Sequence, residues 1–202
     1  MIRVAFDLDN VLFNILEAAR SALANDNRID RSEILDTWIY FAPFTHADPA
    51  VAARLVTDHD FWQREDVISS VTPLPGAVEA MKRLDREGML GGYVTRRPPK
   101  AMGITRATLE FNGFPARDLY AVGHDVADRN HDACKAETCI AMGATHLVED
   151  SQHEAASALV RGISPILVDH PLGRALRNEW HELHPRVPLA RDAAHAVEML
   201  LS

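Results

Sequence analysis

The chain has 202 residues, 47% of them hydrophobic and 25% charged, with a net charge of -8 and a pI near 5.6. That is the makeup of a globular protein able to bury a core, of one medium domain or one domain carrying a small insert. The acidic balance argues against a nonspecific binder of nucleic acid or of a membrane surface, and no apolar run is long enough to span a bilayer.

The first element is a strand. Ile2, Val4, Phe6 and Leu8 alternate, which predicts a buried strand running into Asp7 and Asp9. Arg3 interrupts this short apolar stretch, so no signal peptide is expected. Carboxylates are seldom buried unless paired or bound to a metal, so a strand ending in Asp-x-Asp suggests a site. Taken alone the motif is short, and two solvated acids in a turn would account for it.

Leu12, Ile15, Leu16, Ala19 and Leu23 then fit one helix face, with Asn14 as N-cap. Asp30 and Glu33 have capping-box spacing and predict a helix carrying Ile34, Leu35, Trp38 and Ile39 as far as Pro43. Asp48-Pro49 opens another, to about Thr57, and 60–64 a further turn. Nothing between Val11 and Val71 reads as a strand, so this stretch is expected to be a small helical insert.

A turn-rich junction over 71–76 changes the texture. Helices are predicted over 77–87, 100–111, 132–142, 152–160 (with Ser151 as N-cap) and 190–201, and strands over 90–95, 119–122, 146–150 and 165–169. The alternation predicts a doubly wound α/β fold with a parallel sheet covered on both faces. Cys134 and Cys139 fall in one predicted helix at a spacing that shares no helix face. They are expected as reduced thiols of a cytoplasmic protein.

In such a sheet the strand ends lie on one edge, where ligands bind. Thr95 ends the second strand, Glu149 and Asp150 the fourth, and Asp169 the fifth, while Lys135 precedes the fourth. Together with Asp7 and Asp9 they form a group of carboxylates, a hydroxyl and an ammonium. Clustered carboxylates repel one another unless a divalent cation sits among them, and hard oxygen ligands suit Mg²⁺. The chemistry this supports is phosphoryl transfer, with Asp7 as nucleophile toward phosphorus and Asp9 exchanging protons with the leaving oxygen and the attacking water.

Asp7-Leu-Asp-Asn-Val-Leu, Thr95-Arg-Arg-Pro, Lys135 and Val148-Glu-Asp-Ser resemble, in order and spacing, the four motifs of the haloacid dehalogenase-like (HAD) phosphatases, over nearly the whole chain. The segment 13–71 resembles that superfamily's small cap, with 1–12 and 72–202 as the core domain. Phe61-Trp-Gln-Arg, Thr72-Pro-Leu-Pro-Gly-Ala and Asp169-His-Pro-Leu-Gly-Arg are similar to the 5′-nucleotidase C-type branch, which includes the 5′(3′)-deoxyribonucleotidases. The resemblance implies Asp7 as nucleophile and Asp9 as acid and base. It implies Mg²⁺ on the Asp7 side chain, the Asp9 carbonyl and Asp150, with Glu149 direct or through water. It places Thr95 and Lys135 on the phosphoryl group. Asn10 stands where Gly is common, which either alters the backbone beside the phosphate or uses the tolerance of Asn for left-handed backbone. Glu149-Asp150 followed by Ser-Gln is closer to the sugar-phosphate hydrolases and mutases.

Trp38, Phe41, Phe44, Phe61 and Trp62 concentrate aromatic residues in the insert, most of them as its core. Phe13, Phe44 and Trp62 remain candidates for stacking on a nucleobase. Of Arg96 and Arg97, one is expected on phosphate or substrate and the other in solvent; Arg96 is taken as the ligand, with Asn10 beside it. The ten histidines are scattered and read as surface or satisfied polar residues. The expected partner is a small phosphorylated molecule: a nucleoside 5′-monophosphate first, a sugar phosphate as the alternative. Another class, a silent module that holds a phosphorylated ligand, would lack the acids that are present. A nucleic-acid end phosphatase is disfavoured by the charge.

Overall fold

The computed structural model describes residues 1–39, 42–55, 57, 60–122 and 134–202. Its elements in chain order begin with β1 (Val4–Phe6), α1 (Ile15–Asn27), the hairpin β2 (Leu35–Ile39) and β3 (Ala42–Thr45), α2 (Pro49–Ala52) and α3 (Glu65–Ser69). There follow α4 (Ala77–Arg86), β4 (Leu90–Thr95), α5 (Met102–Phe111), β5 (Leu119–Ala121), α6 (Lys135–Ala141), β6 (His146–Glu149) and α7 (Gln152–Val160). The chain closes with β7 (Ser164–Val168), α8 (Arg174–Leu183), β8 (Leu189–Ala190) and α9 (Ala193–Leu201).

The six-stranded sheet has the order β5-β4-β1-β6-β7-β8, with every neighbouring pair parallel. This is the expected doubly wound core. Strand β1 is central and fully buried, and its alternation feeds both faces. Val4 and Phe6 pack with Met81 and Leu84 of α4 and Val197 of α9. Ala5 faces the other way, toward Cys139 of α6 and Ala158 of α7. The chain winds from β1 through β4 to β5 and then crosses to β6 on the opposite side of β1. The strand order therefore reverses around β1, the place where such sheets open a crevice.

The segment after β1 differs from the helical insert expected. Asn14 caps α1, its Oδ1 accepting from the Glu17 N–H at 3.1 Å. The Asp30–Glu33 capping box forms, but it starts only one 3₁₀ turn. From Leu35 the chain turns extended, and the predicted helix to Pro43 is instead the antiparallel hairpin β2–β3. Thr37 and Ile39 are residue types that favour extended backbone, while Trp38 between them sits at φ 60°, where the pairing with β3 shifts register. Arg20 of α1 pins the hairpin's base, donating to Ile34 O at 2.9 Å and to Asp36 at 2.5 Å. The helix expected over 48–57 is a single turn, α2.

Both ends of the insert meet at one short stem. Leu74 N–H donates to Leu12 O at 2.8 Å and Asn14 N–H to Thr72 O at 2.9 Å. Within it, Phe44, Leu55, Phe61 and Val67 join the apolar cluster that holds Val4 and Phe6. The Gly173 N–H, after β7, donates to Trp38 O at 3.1 Å, so the hairpin reaches over the carboxyl-end edge of the sheet. No helix among the described residues is long and apolar enough to cross a membrane.

Gly92, inside β4, has φ 148° and is buried. A Cβ there would lie 2.6 Å from Asp118 O, a backbone atom that cannot step aside. At Gly91 the nearest atom is the flexible Arg3 side chain, at 2.9 Å. Gly92→Ala should therefore cost at least about 2 kcal/mol in chemical denaturation, and Gly91→Ala clearly less.

Candidate active site

Asp7 follows β1 and still belongs to its ladder, its N–H donating to Val148 O of β6 at 3.0 Å. The chain then turns sharply: Leu12 and Phe13 N–H both donate to Leu8 O at 2.9 Å. Asn10 carries that turn at φ 62°, the left-handed conformation asparagine tolerates best among non-glycine residues. Asp7 and Asp9 are thereby brought to the carboxyl end of the central strand.

Lys135 opens α6 and is buried. Its Nζ lies 2.7 Å from Asp7 Oδ1 and 2.7 Å from Glu149 Oε2. The other Glu149 oxygen accepts from Ser151 N–H at 3.2 Å. Asp150 Oδ2 accepts from Asn10 Nδ2 at 3.1 Å. Asp7, Glu149 and Asp150 each offer an oxygen within 4.8 Å of the others. Burial, then the charge of Glu149, pushes Asp7 up to about 8. Burial and the neighbouring acids Asp150 and Glu154 push Glu149 up to about 8, and Asp150 is raised mainly by its burial and by Asp7. For Lys135 burial favours the neutral amine, but Asp7, Glu149 and Glu154 outweigh it and raise its pKa.

Three buried carboxylates meet one buried ammonium, and the raised values express first the cost of burying charge and then the repulsion between the acids. Asn10 Oδ1 is also buried and has no hydrogen-bond partner among the described residues. The donation of its amide to Asp150 sets its orientation and leaves this oxygen as an acceptor that a coordinated water could donate to. An all-oxygen trio and an orphaned acceptor fit a hard divalent cation.

The strand end of β4 supplies the rest. Thr95 is buried, and its Oγ1 accepts from Arg97 N–H at 3.2 Å, leaving the hydroxyl proton free to be donated. Neither neighbouring arginine is a solvated loop charge, a correction to the expectation for that pair. Arg96 Nε donates to Glu154 Oε1 at 2.7 Å. Arg97 grips Asp9, with Nε to Oδ2 at 3.1 Å and Nη2 to Oδ1 at 2.5 Å. Glu154 is buried in the first turn of α7, and its second oxygen accepts from Lys135 N–H at 3.3 Å.

Sequence reading missed Arg177, on the unanticipated α8. Among the described residues it is the largest fully buried side chain. It donates to Asp150 O at 3.1 Å, His170 O at 2.5 and 2.7 Å, and Leu172 O at 2.7 Å. One guanidinium thus ties the loop after β6 to the loop after β7. Asp169 is drawn into this cluster, 2.9 Å from Arg174 and 3.8 Å from Arg177, and away from the acidic trio. Burial, then Arg177 and Arg174, depress His170 to about 4.

The aromatic candidates divide. Phe13 is fully buried against Phe114, ring centroids 5.0 Å apart, and offers no face to a ligand. Phe44 is buried with the Arg20 guanidinium over its ring at 5.6 Å. Both are core, a correction to their place among substrate contacts. Trp62 is half-buried, edge-on to Phe61 at 5.5 Å. Ser151 precedes α7 but makes no side-chain cap. His181 and His184 bond to Val187 O and Trp180 O, as expected of satisfied histidines. Both cysteines are free and buried. Phe41, His59, His124, Asp125 and His131 lie outside the described residues.

Two outcomes follow from this geometry. Asp7 and Glu149 have folded-state values above their unfolded ones of 3.8 and 4.5. Their contribution to stability is full below the unfolded values and is lost as pH rises through about 8. Chelator-treated protein should melt at progressively lower temperature over that range. Added Mg²⁺ should raise the Tm more at about pH 8.5 than at about pH 5.5, because the cation needs the ionised acids. Arg177→Met would orphan three buried carbonyls and should cost about 3 kcal/mol or more in denaturant unfolding.

No protein-family model and no curated protein matches the sequence. Solved structures do match in shape. A HAD family hydrolase from Deinococcus radiodurans R1, with bound phosphate and sodium, shares 20% identity over 88% of this chain and 87% of that one, at a TM-score of 0.55. A protein described as a "predicted phosphoglycolate phosphatase", from Haemophilus somnus 129pt, shares 14% identity over 98% and 97% of the two chains, at 0.57. L-2-haloacid dehalogenase from Xanthobacter autotrophicus, with chloropropionic acid covalently bound, shares 15% identity over 100% and 99%, at 0.54. These similarities do not single out the 5′-nucleotidase branch. What they establish is that the chain has the fold of the haloacid dehalogenase-like hydrolases.

Proposed function

We propose that the protein is a Mg²⁺-dependent phosphomonoester hydrolase working through an aspartyl-phosphate on Asp7. The observation that carries this reading is the buried Asp7 carboxylate, 2.7 Å from Lys135 Nζ and grouped with Glu149 and Asp150. A nucleophilic aspartate by itself would suit the dehalogenase chemistry of a structural neighbour as well. The surplus of buried acid favours a metal and a phosphate.

Asp7 attacks phosphorus, the phosphorus–oxygen bond to the leaving group breaks, and Asp9 delivers a proton to the departing oxygen. Asp9 then takes a proton from the water that attacks the aspartyl-phosphate, and inorganic phosphate and free Asp7 result. Thr95 O–H and Lys135 hold phosphoryl oxygens while negative charge shifts among them. Asn10, with its amide turned to Asp150, borders the same space. Arg96, steered by Glu154, is the nearby cation for the substrate's remaining charge. Mg²⁺, when bound, neutralises acid and phosphate so that two anions can meet. Asp7, Asp150 and the Asp9 carbonyl would hold it. Glu149, whose oxygens already accept from Lys135 and Ser151, would act through a water.

The insert over 13–71 serves in this reading as a cap, consistent with the hairpin's contact to Gly173. Half-buried Trp62 is the ring left for a base or sugar. The substrate is a small phosphomonoester; a nucleoside 5′-monophosphate and a sugar phosphate both suit the site, and mutase activity is the variant in which water stays excluded. Two unpaired thiols are in keeping with a cytoplasmic setting.

Phosphate release from a panel of nucleoside monophosphates and sugar phosphates tests the reading. Wild type should require Mg²⁺ and stop with chelator. Asp7→Asn should lose at least about 10³-fold in kcat, and Lys135→Met about 10²-fold or more. Release that is indifferent to chelator, or retained in Asp7→Asn, would sink the mechanism.

A further inference from the structure

Arg97 and Asp9 form a contact that the proposed chemistry leaves unexplained. The guanidinium meets the carboxylate edge to edge, Nε to Oδ2 at 3.1 Å and Nη2 to Oδ1 at 2.5 Å. Its third nitrogen, Nη1, donates to Thr105 Oγ1 of α5 at 3.2 Å. The Arg97 side chain is 3% exposed, and that of Asp9 is 30%. An arginine usually samples many rotamers. This one is held by burial at its stem, by Thr105 on one side and by Asp9 on the other.

A single donor would fix the position of one oxygen. A planar fork fixes the plane of the whole carboxylate. Each oxygen has two lone-pair directions, and the guanidinium takes one on each. The other pair stays on the partly exposed side, available to a proton on a substrate or water. The next arginine in sequence turns to Glu154 instead. The two cations therefore serve different acids.

We infer that Arg97 is a positioning residue for Asp9: it sets the plane of the carboxylate that exchanges protons with the leaving group and the water, and Thr105 sets Arg97. This rests on the phosphatase reading and carries a signature of its own. Proton delivery matters little when the leaving oxygen is stable as an anion and a great deal when it is not. Loss of Arg97 must therefore hurt poor leaving groups selectively, which a merely structural role would not do.

The probes are 4-nitrophenyl phosphate and phenyl phosphate, close in shape and different in leaving ability. With Mg²⁺, Arg97→Lys keeps the charge but not the fork. It should lose about 10²-fold in kcat/KM on phenyl phosphate and less than about tenfold on 4-nitrophenyl phosphate, since kcat/KM covers the step that expels the leaving group and not the hydrolysis of the aspartyl-phosphate common to both. Asp9→Asn should show the same bias, and Asp9→Asn/Arg97→Lys no further loss than Asp9→Asn alone. Thr105→Val, nearly isosteric, should shift the same way by less, and decides the matter if Arg97→Lys does not fold. Equal losses in kcat/KM on the two probes, or additive losses in the double variant, overturn the inference while leaving the phosphatase standing. A wild type that releases phosphate from neither probe overturns both.

Discussion

The burial of the Lys135 ammonium between Asp7 and Glu149 is the constraint on which the rest of the structure turns. An ion in a protein interior is tolerable only when its partners stay in place. Here those partners come from two adjacent strands, β1 and β6, and their adjacency is a property of sheet order. The ammonium itself stands at the start of α6, where Glu154 of α7 accepts from its backbone N–H. Two strands and two helices thus converge on one charge. Any slip in their register would strand it. The same convergence gathers Asp7, Glu149 and Asp150, so the arrangement that secures the fold also leaves a group of acids that could take a further cation.

Around this centre every cation has its own counterpart. Lys135 is assigned to Asp7 and Glu149, Arg97 to Asp9, Arg96 to Glu154, and Arg177 to the carbonyls beneath Asp150. Arg177 is the unusual member, since its hydrogen bonds within 3.1 Å run to backbone oxygens. It behaves as a rivet between two loops.

Much of this was readable in the sequence, for definable reasons. The core strands announced themselves because buried parallel strands are short apolar runs, and their polar terminal residues marked the site edge. Of the two readings that Asn10 allowed, an altered backbone or a left-handed turn, its φ of 62° is the second. The hairpin did not announce itself, because Ile34, Leu35, Trp38 and Ile39 fall in a helical stripe rather than an alternation, the strand being interrupted where Trp38 sits at φ 60°, and a true capping box stood in front of them. Helix α8 was hidden for the opposite reason. Its single buried residue is Arg177, while Leu176 and Leu183 are exposed, so the usual apolar stripe is absent. Phe13 and Phe44 illustrate a further limit. Composition locates aromatic rings, but only packing tells a ring that fills a core from one that greets a ligand. The pairing of Arg97 with Asp9 spans 88 positions of sequence and leaves no local pattern to find.

The stem at Leu12–Leu74 and Asn14–Thr72 has a wider meaning. A segment whose two ends meet on one backbone ladder is topologically a loop, however much structure it contains. It can lengthen, shorten or change from helix to hairpin without altering the order of a single strand behind it. In this architecture the insert and the sheet behind it are separable: the inserted segment can vary in length and form while the strand ends that carry Asp7 and Glu149 keep their register.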